Sequence, residues 1–564
     1  MFLFDANPPR ISILVGLLVI SYTLVSTRRR IALSLRSPLL GYIFSKKQPA
    51  PPRGSKDALL EHTETLPPTQ RVLFCDELLR RIIGYLYEIN ERGTLDWESK
   101  DALASLAATC TSISGPSLDV LWRYLDDVDG LTHLLQDEQL EIIDRAPPHL
   151  RKYFDRIRGI RVSTSSWMKP LTTTLRRLPQ PPFPHMTKLI LSIDSDLTNL
   201  DLLFTPNLRV LSVTISSDTD VPPIELVRAF WHQTPHLNDL HLEWLGEDAQ
   251  DPNQTREVLY MITELKELKR LSINLDLSKE PQFLQILSAL RSLEELCLTC
   301  PVIDRNNPPW DIVACRDFPS IHSLCLICPA RMAEALLPAL RGTAISHLNL
   351  AIQDSLPARE QSALSSRIVD HFPSAAKSVT VRIPEGLGFA PGWGEVGVIL
   401  PQCISSLLPL HLTELHLGYM HAEDVSNVLC RNMAESWPQL RCLAIMTDMI
   451  VRQPPARMVT LAGLKWFAIG CHDLSEITIQ VNGLGHHWED EIDAFLKPKA
   501  SKLMLLNLQG SSVNDPLSVA KYLRWCFPTL RDVRFSKLDI IEPRDSEIMQ
   551  ACATIRAMFD DGAI

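Results

Sequence analysis

The chain is predicted to be an α/β protein: a small helical module followed by an irregular right-handed solenoid of strand–helix units, curved into a horseshoe. Three observations predict it. A short phrase, apolar-x-x-apolar-x-apolar, recurs from about residue 157 to residue 535. Amphipathic stretches with helical spacing lie between its copies, so extended and helical segments alternate. Prolines such as Pro235, Pro319, Pro438 and Pro528 stand just before copies. A proline there ends the preceding helix and biases its neighbour to extended geometry.

The phrase is clearest at Leu237/Leu240/Leu242, Leu268/Leu271/Ile273, Leu293/Leu296/Leu298, Ile321/Leu324/Leu326 and Ile345/Leu348/Leu350. It continues at Leu412/Leu415/Leu417, Leu440/Leu443/Ile445, Leu464/Phe467/Ile469, Leu503/Leu506/Leu508 and Leu530/Val533/Phe535. Weaker copies stand at Ile157/Ile160/Val162, Met186/Leu189/Leu191, Leu208/Leu211/Val213 and Ala376/Val379/Val381. About 14 copies at a mean period of roughly 29 residues fall within the range of leucine-rich repeats. No single unit of that size buries its own apolar face, so units must stack, which exposes a long surface suited to binding.

Four segments follow along the chain. Residues 1–64 are an extension whose apolar run, Ile11 to Ser26, is flanked by Arg10 and by Arg28-Arg29-Arg30. As a helix the run spans roughly 24 Å, short of the ~30 Å hydrocarbon core. It reads as a short membrane anchor with snorkelling arginines, as a transit peptide, or as a dispensable extension. If it is an anchor, the basic residues after it hold the body on the cytosolic side, and otherwise the body is cytoplasmic or nuclear. Gln48-Pro49-Ala50-Pro51-Pro52 reads as a linker.

Residues 65–135 are expected to be helical. Leu78, Leu79, Ile82, Ile83 and Leu86 form one helical face, and Ala102, Leu103, Leu106, Ala107 and Cys110 form a second. Gly115-Pro116 is expected to break the chain before a third face of Leu118, Leu121, Trp122 and Leu125. Residues 136–540 are the array, with helices expected over Thr255–Leu265, Arg331–Leu340, Ser362–Phe372, Ala422–Trp437 and Pro516–Phe527. Residues 541–564 supply a capping helix, Ser546–Phe559, and a tail.

The helical segment resembles an F-box of the fungal type. The resemblance rests on Leu73-Phe74-Cys75-Asp76-Glu77-Leu78-Leu79, on Leu103-x-x-Leu106-Ala107-x-Thr109-Cys110, and on Leu118-x-x-Leu121-Trp122-x-x-Leu125. It covers about a tenth of the chain, and leucine-rich repeats are a usual companion. Two departures stand out: Asp76 replaces the family's proline, and the loop Glu88–Ser99 is longer than usual. The resemblance implies the substrate receptor of a cullin-type (SCF) ubiquitin ligase. The module would bind the SCF adaptor protein, and through it the cullin, while the repeats hold an unidentified target protein. The adaptor-binding residues it implies are Leu73, Leu78, Leu79, Ile82, Leu86, Leu106, Cys110, Leu121 and Trp122. The alternative is a membrane-tethered leucine-rich-repeat scaffold that never engages a ligase.

Charge and cysteine usage narrow the function classes. Residues 1–56 hold nine Lys/Arg against one acid, Asp5, so the remainder holds 47 basic residues against 65 acidic ones. An acidic body argues against nucleic-acid binding, which needs a basic stripe. Thirteen cysteines, an odd number scattered through apolar phrases, suit a reduced compartment better than a disulfide framework. The sequon at Asn253 is then a coincidence.

Three patterns look like chemistry. Cys297-x-x-Cys300 with Cys325-x-x-Cys328 has the outline of a zinc ribbon, but both pairs fall at the same repeat positions. They read as a cysteine ladder copied with its repeat, Cys297 beside Cys325 at about 4.8 Å. Gly392-x-Gly394-x-x-Gly397 matches a dinucleotide fingerprint, yet no strand candidate leads directly into it. His486-His487-Trp488-Glu489-Asp490-Glu491 offers metal ligands at a spacing that puts adjacent residues on different faces. No catalytic, cofactor-binding or metal-binding residue is predicted.

Overall fold

The computed structural model describes most of residues 97–128, 148–163, 182–244, 252–300, 318–382, 399–483 and 502–534, with isolated positions such as 77, 80, 83, 131 and 553–557. Ile11–Ser26, the glycine motif at 392–397 and the segment His486–Glu491 lie outside the described residues. Among the described residues no helix is long and apolar enough to cross a membrane.

Among the described residues fifteen strands form one open parallel sheet in simple chain order. They are β1 (Tyr124–Leu125), β2 (Gly159–Ser163), β3 (Lys188–Ile193), β4 (Val210–Ile215), β5 (Asp239–Trp244), β6 (Arg270–Asn274), β7 (Glu295–Thr299) and β8 (Ser323–Cys328). Then come β9 (His347–Ile352), β10 (Ser378–Arg382), β11 (Glu414–Met420), β12 (Cys442–Thr447) and β13 (Glu476–Thr478). After a short strand β14 (Asn482–Gly483), the sheet continues with β15 (Leu505–Asn507). A second short strand, β16 (Ser512–Val513), pairs with β14 alone, and β17 (Asp532–Arg534) ends the sheet. Strand, right-handed crossover and parallel strand repeat along the chain, which makes this an α/β leucine-rich-repeat solenoid.

The repeated phrase causes this register. Its second and third apolar residues alternate with polar ones along each strand, so with a period of two they share one face. Stacking aligns them: Leu211 pairs with Leu240, Leu240 with Leu271, Leu271 with Leu296, and Leu296 with Leu324. These leucines are fully buried in one core that continues from Val128 to Val533. The backbone repeats just as strictly. The carbonyl before each strand accepts two N–H groups from the next unit: Lys269 O from Glu294 and Glu295, Glu294 O from His322 and Ser323, His322 O from Ser346 and His347. Where the next unit starts with a hydroxyl residue, that side chain donates to the same carbonyl, as Ser346 does to His322 and Ser475 to Arg441.

Helices lie close to where amphipathic spacing predicts them: Pro252–Thr263, Ala330–Ala339, Ala358–His371, Asn427–Ser436 and Pro516–Cys526. The stretch expected to start at Ala422 divides into a 3-10 turn, Ala422–Asp424, and a helix that Ser426 caps by accepting from Leu429 N–H. Near the C-terminus, Ile555 is helical and buried in the same core.

One repeat copy is corrected. Leu464-x-x-Phe467-x-Ile469 is not a strand but part of the helix Leu461–Gly470. The strand of that unit is β13, carried by Leu474-x-x-Ile477-x-Ile479, all three fully buried. Gly463 and Gly470 explain the choice. A Cβ on Gly463 would sit 2.5 Å from Asn427 Oδ1, and one on Gly470 would sit 2.7 Å from the Ala434 carbonyl. Seven residues apart, the two glycines share a helix face and let it close on the helix Asn427–Ser436.

The start of the array is also corrected. Among the described residues the helices Trp97–Ala107 and Thr111–Leu121 precede it, and Glu77, Arg80 and Ile83 are helical as well. The second runs straight through Gly115-Pro116, because Gly115 has no Cβ to clash with the proline ring. Leu118 and Leu121 belong to this helix, while Leu125 is in β1, so the expected third face is divided between a helix and the first strand. β1 pairs in parallel with β2, Leu125 opposite Ile160, and Arg123 O accepts from Arg158 and Gly159 N–H as in every later unit. The helical segment therefore supplies the first rung of the solenoid.

Candidate functional site

The candidate site is the polar face of the sheet, the side opposite the leucine core. Two rows of side chains cross it, one residue per strand. The first row runs through Lys188, Val210, Asp239, Arg270, Glu295, Ser323, His347, Ser378, Glu414, Cys442 and Glu476. The second runs through Arg161, Ile190, Ser212, His241, Ser272, Cys297, Cys325, Asn349, Thr380, His416, Ala444 and Thr478. Neighbours in a row are about 4.8 Å apart at the backbone, so each side chain interacts chiefly with two others.

The rows differ in charge along their length. Near β5 and β6 opposite charges pair: Arg270 Nε donates to Asp239 Oδ2 at 2.9 Å. Along the edge where chains enter the strands, Lys269 pairs with Glu294 at 2.7 Å, and Glu267 takes both Arg209 and His236. Their partners hold the Glu294 and Glu267 carboxyls below the usual range, Glu294 through the Lys269 hydrogen bond and Glu267 through that of His236. Such exposed pairs fix side-chain positions more than they add stability. Further on the first row turns acidic, with Cys442 between Glu414 and Glu476. Burial pushes the Cys442 thiol up to about 11, and the carboxylates of Glu476 and Glu414 add to the rise.

In the second row Ser272, Cys297, Cys325 and Asn349 lie side by side on four consecutive strands. Asn349 Nδ2 donates to Cys325 Sγ at 3.4 Å. The Cys297 thiol is lowered to about 7, chiefly by its hydrogen bond with Cys325, with further help from Ser272 and Thr299 and against the opposing effect of burial. Cys300 and Cys328 are fully buried in the core instead. Three residues separate each from its partner, and an odd separation on a strand reverses the face. The four thiols thus divide two and two across the sheet. Among the described residues no group of three or more His, Cys, Asp or Glu could hold a metal ion.

Of the residues the F-box resemblance singles out, Leu73, Leu78, Leu79, Ile82, Leu86 and Cys110 lie outside the described residues. Leu121 packs against a small cluster of Ile83 and Leu103, and Leu106 is half-buried nearby on the helix Trp97–Ala107. Trp122 turns the other way. Its ring meets that of Tyr153 at 4.9 Å between centroids, and it packs against the solenoid core. Asp119 ties the joint together, pairing with Arg80 at 2.7 Å and with Arg156 at 2.6 Å. The residues that sequence reasoning missed are Ser272 and Asn349. Aligning the middle position of successive phrases would have found them.

The open sheet, its unbroken core and its polar rows define a leucine-rich-repeat solenoid. No family model matches the chain, and no curated protein matches it. Solved structures similar to it include that of the Rad7 and Elc1 complex in yeast, at 12% identity and a TM-score of 0.33, covering 87% of this chain and 96% of that one. The leucine-rich repeat-containing protein LegL7 from Legionella pneumophila is similar at 13% identity and a TM-score of 0.30, over 70% of this chain and 98% of that one. The TLR13–ssRNA13 complex is similar at 13% identity and a TM-score of 0.26, over 68% of this chain and 62% of that one. The fold assignment rests on the strand ladder of the chain itself.

Proposed function

We propose that the chain is the non-catalytic substrate-recognition subunit of a cullin-type (SCF) ubiquitin ligase. Residues 65–135 dock the adaptor protein, and the polar face of the sheet holds a target protein. The observation that carries this reading is the run of F-box-like phrases from Leu73 to Leu125 placed directly before a leucine-rich-repeat array. The pairing of β1 with β2 supports it, because a docked adaptor would sit at a fixed position relative to the recognition rows. The mechanism is proximity: holding the target raises the effective concentration of its lysines beside a ligase-bound thioester carrier. The chain contributes no catalytic group of its own.

The test is copurification of the full chain with a purified SCF adaptor. Binding at micromolar concentration is expected, with a loss of more than about 2 kcal/mol for each buried anchor truncated. Leu78→Ala and Ile82→Ala are the informative variants. Trp122→Ala is not, because Trp122 packs against the repeat core and its loss would loosen the solenoid itself. An intact chain that ignores the adaptor would return the reading to a leucine-rich-repeat scaffold, tethered through Ile11–Ser26 or free.

A further inference from the structure

Among the described thiols Cys297 and Cys325 stand out as a pair; Cys442 is also half-buried on the polar face, but it lies between Glu414 and Glu476. Cys300, Cys328, Cys403, Cys430, Cys471 and Cys526 are buried, several of them as core residues between helices. Cys471, for example, donates its thiol hydrogen to the Trp437 carbonyl at 3.3 Å. Cys297 and Cys325 instead stand in register on β7 and β8, half-buried on the polar face and hydrogen-bonded to each other. Ser272 and Asn349 flank them on either side, so the pair sits inside a row of hydrogen-bonding groups. Neighbouring parallel strands are about 4.8 Å apart, within the roughly 4.4–6.8 Å of Cα separation that a disulfide accepts.

We propose that Cys297 and Cys325 are a peroxide-responsive modification site, a dithiol that closes to a disulfide across β7 and β8 on the recognition face. The Cys297 thiolate attacks one oxygen of hydrogen peroxide; an S–O bond forms, the O–O bond breaks, and the departing hydroxide takes up a proton to become water. The sulfur of Cys325 then attacks the sulfenic sulfur of Cys297. The S–S bond forms, the S–O bond breaks, and the hydroxyl leaves with the Cys325 proton as a second water. Two thiols lose two electrons, and one peroxide is reduced to two waters. Cys325 is the resolving thiol, since its position beside Cys297 traps the sulfenic acid before further oxidation. The bridge is exposed on one side and belongs to the readily reduced class.

The test uses the full chain, reduced and folded. It is treated with hydrogen peroxide, blocked with iodoacetamide and digested for mass spectrometry. The expected product is a peptide pair joined through Cys297 and Cys325, released by dithiothreitol. Cys325→Ser should leave Cys297 as a sulfenic acid that dimedone captures. The proposal fails if both thiols remain open to iodoacetamide after peroxide has oxidised exposed methionine. It fails equally if the disulfides formed join either residue to another cysteine. The wild-type chain alone decides between these outcomes, so a variant that misfolds does not protect the idea.

Discussion

Cys297 and Cys442 occupy equivalent ground: each is half-buried on the polar face, β7 carrying one and β12 the other. Their thiols are nevertheless driven in opposite directions, Cys297 down to about 7 and Cys442 up to about 11. The repeat to which each belongs does not explain this, for both strands have the same alternation of buried and half-buried residues. The neighbours in the rows make the difference in sign. At Cys297 the hydrogen bond of Cys325, helped by that of Ser272, outweighs the effect of burial, whereas at Cys442 burial is the largest cause of the rise and the carboxylates of Glu476 and Glu414 beside it add to it. On this surface the residues of neighbouring units help to set the acidity of a side chain, which no single repeat encodes.

The largest effect expected from this comparison is in alkylation. At pH 7.5 most of Cys297 is thiolate, whereas Cys442 is ionised at roughly one part in several thousand. The thiolate of lower pKa is the weaker nucleophile, with a Brønsted slope of about 0.4–0.5, and this offsets part of the advantage. Iodoacetamide should still modify Cys297 on the order of tens of times faster than Cys442. Raising the pH from 7.5 to 9 should barely accelerate Cys297 but speed Cys442 about tenfold per unit. Equal rates at pH 7.5, measured by mass spectrometry of quenched samples, would break the comparison.

A smaller effect tests the acidic half directly. Glu414→Gln with Glu476→Gln removes both carboxylates flanking Cys442 while keeping side-chain size. Burial, the first cause of the raised pKa, remains, so Cys442 should react only several-fold faster and should stay slower than Cys297. Cys297, far along the sheet on β7, should be unchanged. An equal acceleration at both sites would mean that the substitutions loosened the fold instead of changing a row.

Much of this arrangement is legible in the sequence, and the failures have physical causes. The apolar phrase located the strands because a period-two pattern with one buried face fixes register. Even the weak copies at Ile157, Met186, Leu208 and Ala376 correspond to β2, β3, β4 and β10. The phrase failed at Leu464, where apolar residues three apart also satisfy a helix; close packing at Gly463 and Gly470 decides the matter and is invisible in the pattern. β1 is not legible in the sequence because two residues are too short to show a period, and Trp122 and Leu125 also fit a helical spacing. The alignment of Cys297 with Cys325 followed from the repeat. The contribution of Ser272 and Asn349 did not, since it comes from side chains some 25 residues away in either direction.

The smallest effect is the sharpest test of the row idea. Ser272 lies beside Cys297 on β6 and is the second of its hydrogen-bonding neighbours, after Cys325 and ahead of Thr299. Ser272→Ala removes that bond and changes neither the leucine core nor any charge. A hydrogen bond to a charged group contributes up to about 1.5–3 kcal/mol, and partial exposure of the row reduces this to well under half. A rise of about half a pH unit in the Cys297 pKa is the reasonable consequence. At pH 7 the thiolate fraction would then fall from about a half to about a quarter. The greater nucleophilicity of the less acidic thiolate offsets most of this, so alkylation would slow only about 1.2–1.3-fold while the midpoint of its pH profile moves up by about half a unit. The sign matters more than the size: loss of a stabilising donor must raise the pKa of an acid whose conjugate base accepts the bond. Cys442, which shares no neighbour with Ser272, is the internal reference in the same sample. Slowing at Cys297 alone would place the control of its reactivity in the row, whereas no change would leave Cys325 and the strand itself as its source.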